Sequence, residues 1–401
     1  MRAGDRARWW VLLGCLVCQM GLGLGGYVFA VFLKPVVAEM GWSRTAFAAA
    51  GGPLLLAMAL ASPLVGALVE RVGARAVFAS AITLVAAALL GLSVMQSLWS
   101  FYALGFLLGV AITGLGDIPA GGVVSAWFGR RRGLALGLVF VGSNLGGALV
   151  PLVAAEVAAS AGWRVALRVL AVGGWLLIIP FALWAVRERP ADAQAAPEIP
   201  PDTLGGATLA EAVRTPAFWI LAGVLFTFYF YYLGVNHHLV AFLTDVGFSD
   251  AAAARRFAWA IAVGIAGKIG VGLVADRIPV HRAALLTFGL LTLGSFALLA
   301  VGEVPRLLPL FLTVHGLTVA AENVMLPLLV AWCFGAQHLT RIYGTLMLAL
   351  LPGGFLGAVF AAWVQDRTGR YLPAFVVFAV LNACALGALA RLRGAAARSG
   401  G

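Results

Sequence analysis

Three ionisable side chains stand inside long stretches that carry no other formal charge. Asp117 lies in GVAITGLGDIPAGGVVSAWFG, Lys268 in WAIAVGIAGKIGVGLVA and Glu322 in LFLTVHGLTVAAENVMLPLLVAW. Lysine is not this chain's default cation: of 27 basic residues only Lys34 and Lys268 are lysines. An ammonium group can hold an anion or give up its proton. A carboxylate can hold a proton or balance a cation. Other polar candidates lie nearby in sequence. Asn323 follows Glu322, and His315 precedes it by seven residues, two helical turns back on one face. His315 reads either as a proton relay or as a satisfied buried histidine. The run FTFYFYYLG, residues 226–234, offers Tyr229, Tyr231 and Tyr232 either as pocket walls or as an aromatic packing stripe.

The elements that carry these residues follow from composition. The chain of 401 residues is 62% hydrophobic and 11% charged. Soluble domains carry about 25% charged and about 45–50% apolar residues. This sequence has too little polar surface to cover itself in water. It shows twelve apolar runs near 9–33, 46–69, 76–97, 99–126, 133–159, 164–186, 217–240, 252–275, 283–301, 307–334, 342–364 and 372–390. Each is long enough to cross a ~30 Å hydrocarbon core as a helix. The ~10-residue alternating segments of a membrane β-barrel are absent. The expected fold class is all-α and integral to the membrane.

The net charge of +11 is a topology signal. Arg71 and Arg75, Arg130 to Arg132, Arg187 and Arg189, Arg277 and Arg282, and Arg391 and Arg393 fall between alternate runs, with Arg2, Arg6 and Arg8 at the start. The positive-inside rule then places both termini in the cytoplasm, with a bacterial inner membrane as the expected location. Nucleic acid is not an expected partner; the lipid bilayer is. No G-x-x-x-x-G-K-[ST] motif appears, so an ATP-driven pump within this chain is not expected. Cys15 and Cys18 form a Cys-x-x-Cys inside an apolar run with no histidine beside them, and read as packing residues. Neither a metal site nor a cofactor is expected. With no nucleophile–base pairing, neither is an enzyme.

Residues 187–207, RERPADAQAAPEIPPDTLGGA, cannot bury a core and read as a linker. Thr208 and Glu211 have capping-box spacing, which predicts a short helix along the membrane surface. Thr215 and Pro216 predict the start of the seventh span. The expected organisation is a six-helix bundle over 1–188, a linker with a surface helix over 189–215, and a second six-helix bundle over 216–401. The halves repeat. MGWS at 40–43 answers VGFS at 246–249, GALVER at 66–71 answers GLVADR at 272–277, and WFG at 127–129 answers CFG at 333–335, each 206 residues apart. Both halves start on the same side, so the pseudo-twofold axis runs along the membrane normal.

GALVERVGAR and GLVADRIPVHR resemble the two signature loops of the major facilitator superfamily, with Glu70 where the first copy usually has Asp and Pro279 in the second. FLKPVVAEMGWSRT, WFGRRRGLALGL, TLAEAVRTPAFW and DRTGRYLPAF resemble the branch that holds oxalate/formate exchangers and monocarboxylate porters. The resemblance covers nearly the whole chain. It implies conformational roles for Gly66, Glu70, Arg71, Arg75, Gly272, Asp276 and Arg277. It also implies that Lys268 occupies the place where porters of this branch usually carry the Arg that binds a substrate carboxylate. The oxalate exchangers use a second cation in the eleventh span, but 342–364 holds no Lys or Arg, which argues against a dicarboxylate.

Depth supports a shared site. Lys268 lies ~12 Å along its helix from Asp276, Asp117 ~15 Å from Trp127 and Glu322 ~18 Å from Phe334. The repeat offset carries Asp117 onto Asn323, beside Glu322. The expected function is secondary transport of a small organic anion, a monocarboxylate, by H⁺ symport or anion exchange. Lys268, Asp117, Glu322, Asn323, Tyr229 and Tyr232 would form the substrate site. Asp117, Glu322 or His315 would carry the proton. Lys268 would meet either the substrate or only Asp117 or Glu322. The alternatives are proton-coupled efflux of amphipathic cations or drugs, and a non-transporting membrane sensor on the same scaffold. A monomer is expected.

Overall fold

The computed structural model describes residues 3–43, 46, 47, 49–129, 131–187 and 206–392. The expected linker residues 189–205 lie outside them. The helices are α1 (Ala3–Met20), α2 (Gly26–Met40), α3 (Gly51–Val72), α4 (Ala74–Ser93), α5 (Leu98–Thr113), α6 (Asp117–Trp127), α7 (Arg132–Ala161), α8 (Trp163–Pro180), α9 (Leu209–Val213), α10 (Pro216–Asp245), α11 (Asp250–Ala275), α12 (Val280–Val301), α13 (Leu308–Val319), α14 (Glu322–Phe334), α15 (Leu339–Leu346), α16 (Leu350–Thr368) and α17 (Leu372–Ala390). Among the described residues, 11 segments are long and apolar enough to cross a membrane, or 12 if the bent pair Pro305–Val319 and Glu322–Phe334 is one span. The chain is an all-α membrane protein. The only β pairing among the described residues is a single bridge, Gly206 to Gly335.

The 206-residue repeat has a local physical meaning. Gly41 and Gly247 both hold positive φ, 68° and 104°. That left-handed turn ends α2 and α10, and it suits a residue without Cβ. Two residues on, Ser43 accepts from the Ala46 N–H at 3.0 Å and Ser249 from the Ala252 N–H at 3.4 Å. So the repeated Gly-x-Ser is a helix stop followed by a serine whose side chain takes up the N–H three residues on. The predicted capping box is also present: Thr208 and Glu211 cap each other's backbone at the start of α9, and Thr215 with Pro216 starts α10.

Two expectations at span ends are corrected. The first apolar run ends near residue 33, but α2 runs on through Lys34 and Pro35 to Met40. Membrane helices tolerate an internal proline where neighbours re-satisfy the freed carbonyl. The seventh apolar run ends near residue 240, but α10 continues past His237 and His238 to Asp245.

The helices group into two compact units. Among the described residues, the first takes in those of Met1–Gly129, Leu138–Glu198 and Tyr343–Thr345, and the second those of Arg130–Gly137, Ile199–Ile342 and Leu346–Gly401. In the first unit, Glu39 at the end of α2 accepts from the Trp163 indole at 2.6 Å and from Arg164 Nε at 2.9 Å. These two donors hold the Glu39 carboxyl below the ordinary carboxylate range. A depressed folded value contributes stability above the unfolded pKa and loses it as pH falls through the folded one. The pair is exposed, so the effect is small, under about 1 kcal/mol. Thermal unfolding of wild type and Glu39→Gln in detergent should differ at neutral pH and converge as the pH falls through the depressed Glu39 value.

Candidate functional site

Asp117 and Glu322 share an unusual placement. Each is the first residue of a helix that restarts inside a span. In the first unit, α5 ends at Thr113, and Gly116 leaves helical geometry for one residue at φ −79° and ψ −159° before Asp117 opens α6. In the second unit, α13 ends at Val319 and α14 begins at Glu322, with the axis bent by 43°. The restart exposes N–H groups whose partners lie in the missing turn. A carboxylate in the first turn meets the positive end of the helix dipole. Discontinuous helices of this kind build the midplane sites of secondary transporters.

In the second unit, Glu322 is only 5% exposed. The Tyr229 hydroxyl lies 3.3 Å from its Oε1 and 3.5 Å from Met347 Sδ. The one phenolic proton goes to the carboxylate, the stronger acceptor. Lys268 is also 5% exposed. Its helix is pressed against α13, where Gly267 backs directly onto Leu317 and Gly264 onto Ala320. Lys268 thus sits on a stretch of α11 that cannot move without moving α13. Asn323 and Tyr232 are half-buried, and Tyr232 stacks on Phe228 at 5.7 Å.

His315 is accounted for. The Tyr231 hydroxyl lies 2.7 Å from Nδ1, and Nε2 lies 3.1 Å from Asn236 Oδ1. An amide oxygen only accepts, so Nε2 carries the proton and Nδ1 accepts from Tyr231. Both ring nitrogens are therefore engaged by α10. Of the aromatic run on α10, Tyr229 serves Glu322 while Tyr231 locks His315. Tyr231→Phe would leave a buried acceptor unmet. It should cost about 1–3 kcal/mol, seen as a lowered unfolding temperature in detergent.

In the first unit, Gln19 is missed by sequence reasoning. It is fully buried near the end of α1, where the chain tightens into the 3-10 turn Gly21–Leu24. Its Nε2 donates to Asp117 Oδ1 at 3.0 Å, and its Oε1 has no hydrogen-bond partner among the described residues. The available signal is a lone amide in CLVCQMGLG, next to the glycines that break the helix.

Of the signature-loop residues, Glu70, Arg71, Arg75 and Arg277 are exposed, while Gly66 and Gly272 are buried. Asp276 accepts from the backbone N–H of Gly133 at 2.7 Å and of Leu134 at 2.9 Å, so it caps the first turn of α7. The backbones touch here: a Cβ on Gly272 would strike the Gly133 carbonyl, and one on Gly133 the Gly272 carbonyl. Burial pushes the Asp276 carboxyl above its ordinary value, against the pull of those two N–H groups and of Arg131 and Arg132. In the first unit, Ser62, the repeat counterpart of Lys268, holds the Met58 carbonyl at 2.7 Å and backs onto Gly344. Cys15, Cys18 and Cys333 are buried thiols, and no cluster of metal-ligating residues occurs among the described residues.

Comparison with known proteins agrees with this architecture. Monocarboxylate transporter 13 of Bos taurus is 28% identical over 353 residues, covering 87% of this chain and 80% of that one. The MFS-type transporter YhjX of Escherichia coli is 24% identical over 359 residues, covering 86% and 85%. Among solved structures, the human organic anion transporter MFSD10 superposes with a TM-score of 0.70 at 18% identity, covering 97% and 100%. The proton:xylose symporter XylE gives 0.69 at 14% identity, covering 96% and 95%. The sequence profile of the Major Facilitator Superfamily matches residues 15–305. A carboxylate opening each restarted helix, a doubled signature loop and that match lead to one conclusion: the chain belongs to the Major Facilitator Superfamily and is a membrane transporter, not an enzyme.

Proposed function

We propose that this transporter carries a small organic anion, a monocarboxylate, by alternating access between residues 1–188 and 216–401, with H⁺ symport or anion exchange. The observation that carries the reading is the pairing of polar types in the second unit. A buried ammonium, Lys268, and a buried carboxylate held by a tyrosine, Glu322, lie on membrane-spanning helices of one bundle. Lys268 binds the substrate carboxylate. Glu322 or Asp117 carries the coupled proton, and Asn323, Tyr229 and Tyr232 shape the site. The relatives whose names specify monocarboxylates support the substrate class. A second reading, efflux of larger amphipathic molecules, draws support from the 27% identity to the fujikurins efflux protein of Gibberella fujikuroi, over 45% of this chain.

Liposomes holding the purified protein separate the two readings. Labelled lactate and pyruvate should accumulate when the interior is made alkaline, or exchange against the unlabelled anion. A lipophilic cation should not be moved. Cation movement without any carboxylate flux would replace the first reading by the second.

A further inference from the structure

A groove of about 480 Å³ runs along the first unit between the start of α1 and the end of α8, floored by Pro180, Phe181 and Ala185 and walled by Trp10 and Trp184. A neighbouring chamber of about 390 Å³ is lined by Val72, Arg75, Ala76 and Leu183. Arg187 lines both. We propose that this groove binds one anionic phospholipid, its phosphate on Arg75 and Arg187 and an acyl chain between Trp10 and Trp184.

Four helix ends converge here: the start of α1, the end of α3, the start of α4 and the π-helical turn Phe181–Ala185 that follows α8. The groove therefore lies at a membrane boundary, whichever way the chain faces. π-Turns often mark functional positions in helices. This one sets Trp184 outward, 71% exposed, opposite Trp10 at 60%. Tryptophans at this depth flank acyl chains while meeting headgroups. The basic pair is available to an anion. Arg75 and Arg187 are exposed, and neither has a carboxylate partner among the described residues. Arg187 is held in place, with Nε donating to the Trp184 carbonyl at 3.2 Å and its own carbonyl accepting from Trp127 Nε1 at 2.7 Å. Two cations over an apolar slot complement a phosphodiester with a hydrocarbon tail. A choline headgroup would bring a third positive charge to the same place.

Native mass spectrometry of the full-length protein in detergent, titrated with phosphatidylglycerol or phosphatidylcholine, tests the site. Wild type should hold phosphatidylglycerol more tightly. Arg75→Gln with Arg187→Gln should weaken that binding roughly thirtyfold and leave phosphatidylcholine unchanged. Arg187→Lys should keep most of it, and Trp184→Ala should weaken both lipids. Arg282→Gln, an exposed arginine on α12, should change neither. Unfolding temperature without lipid checks that each variant is folded. Equal affinity for the two lipids, an unchanged double variant, or an equal loss in Arg282→Gln would overturn the proposal. So would a tenfold gain on deleting residues 189–205, which would assign the groove to the linker.

Discussion

Lys268→Gln should reduce lactate uptake into liposomes roughly 30- to 1,000-fold in kcat/KM, the loss expected when about 2–4 kcal/mol of a desolvated charge pair is removed. Three facts set the size. Lys268 is 5% exposed, so water does not screen what it touches. It sits where Gly267 and Gly264 press α11 onto α13, so the chain cannot shift to bring in another cation. Residues 342–364, the middle of the eleventh span, contain no Lys or Arg to replace it. Lys268→Arg divides the role further. Arginine keeps the charge but does not release its proton in a protein. If Lys268 only binds the carboxylate, Arg should preserve both exchange and accumulation driven by a pH gradient. If its proton moves during the cycle, exchange should survive while accumulation is lost. Uptake unchanged in Lys268→Gln would remove Lys268 from the site.

Much of this frame is legible without coordinates because its signals are local. Span length and apolar content are properties of single segments. The Gly41 and Gly247 turns and their Ser43 and Ser249 caps are read from three adjacent residues. The break before Asp117 is also visible, since Gly114-Leu115-Gly116 offers little helix propensity. The break before Glu322 is not. Val319-Ala320-Ala321 offers no glycine or proline to mark it, yet the axis bends there by 43°. The end of the first run near residue 33 misleads for the opposite reason: a proline such as Pro35 marks a stop in water, whereas α2 continues through it. Long-range partners are the least legible. Gln19 is 98 residues from Asp117, and Gly133 is 143 from Asp276. No spacing rule connects such pairs. Only the fold does.

Gly272→Leu should stop transport, with uptake falling at least tenfold, because it breaks the contact between the Asp276 loop and the start of α7. The close approach is backbone on backbone. A Cβ at 272 meets the Gly133 carbonyl and the Leu134 nitrogen, and no flexible side chain can yield. Forcing the strands of chain apart also removes both N–H groups from Asp276. A cysteine placed at Leu134 should then react faster with a maleimide than it does beside the native glycine. Asp276→Asn is the milder companion. The amide oxygen can accept one of the two N–H bonds, but its NH₂ faces the other donor. Because burial raises the Asp276 carboxyl, its contribution to stability is largest below the ordinary carboxylate range and declines as pH rises through the raised value. Wild type should therefore lose stability relative to Asp276→Asn as the buffer is moved from acid to neutral. A cap whose charge is costly to bury, yet which binds two N–H groups, is held only weakly. In the alternating-access cycle proposed above, such a contact opens and re-forms. The leucine variant removes its geometry, and the asparagine variant removes half of its bonds. Graded loss of uptake, greater for Gly272→Leu than for Asp276→Asn, is the expected order. Full uptake in both would mean that the loop caps a helix and does nothing more.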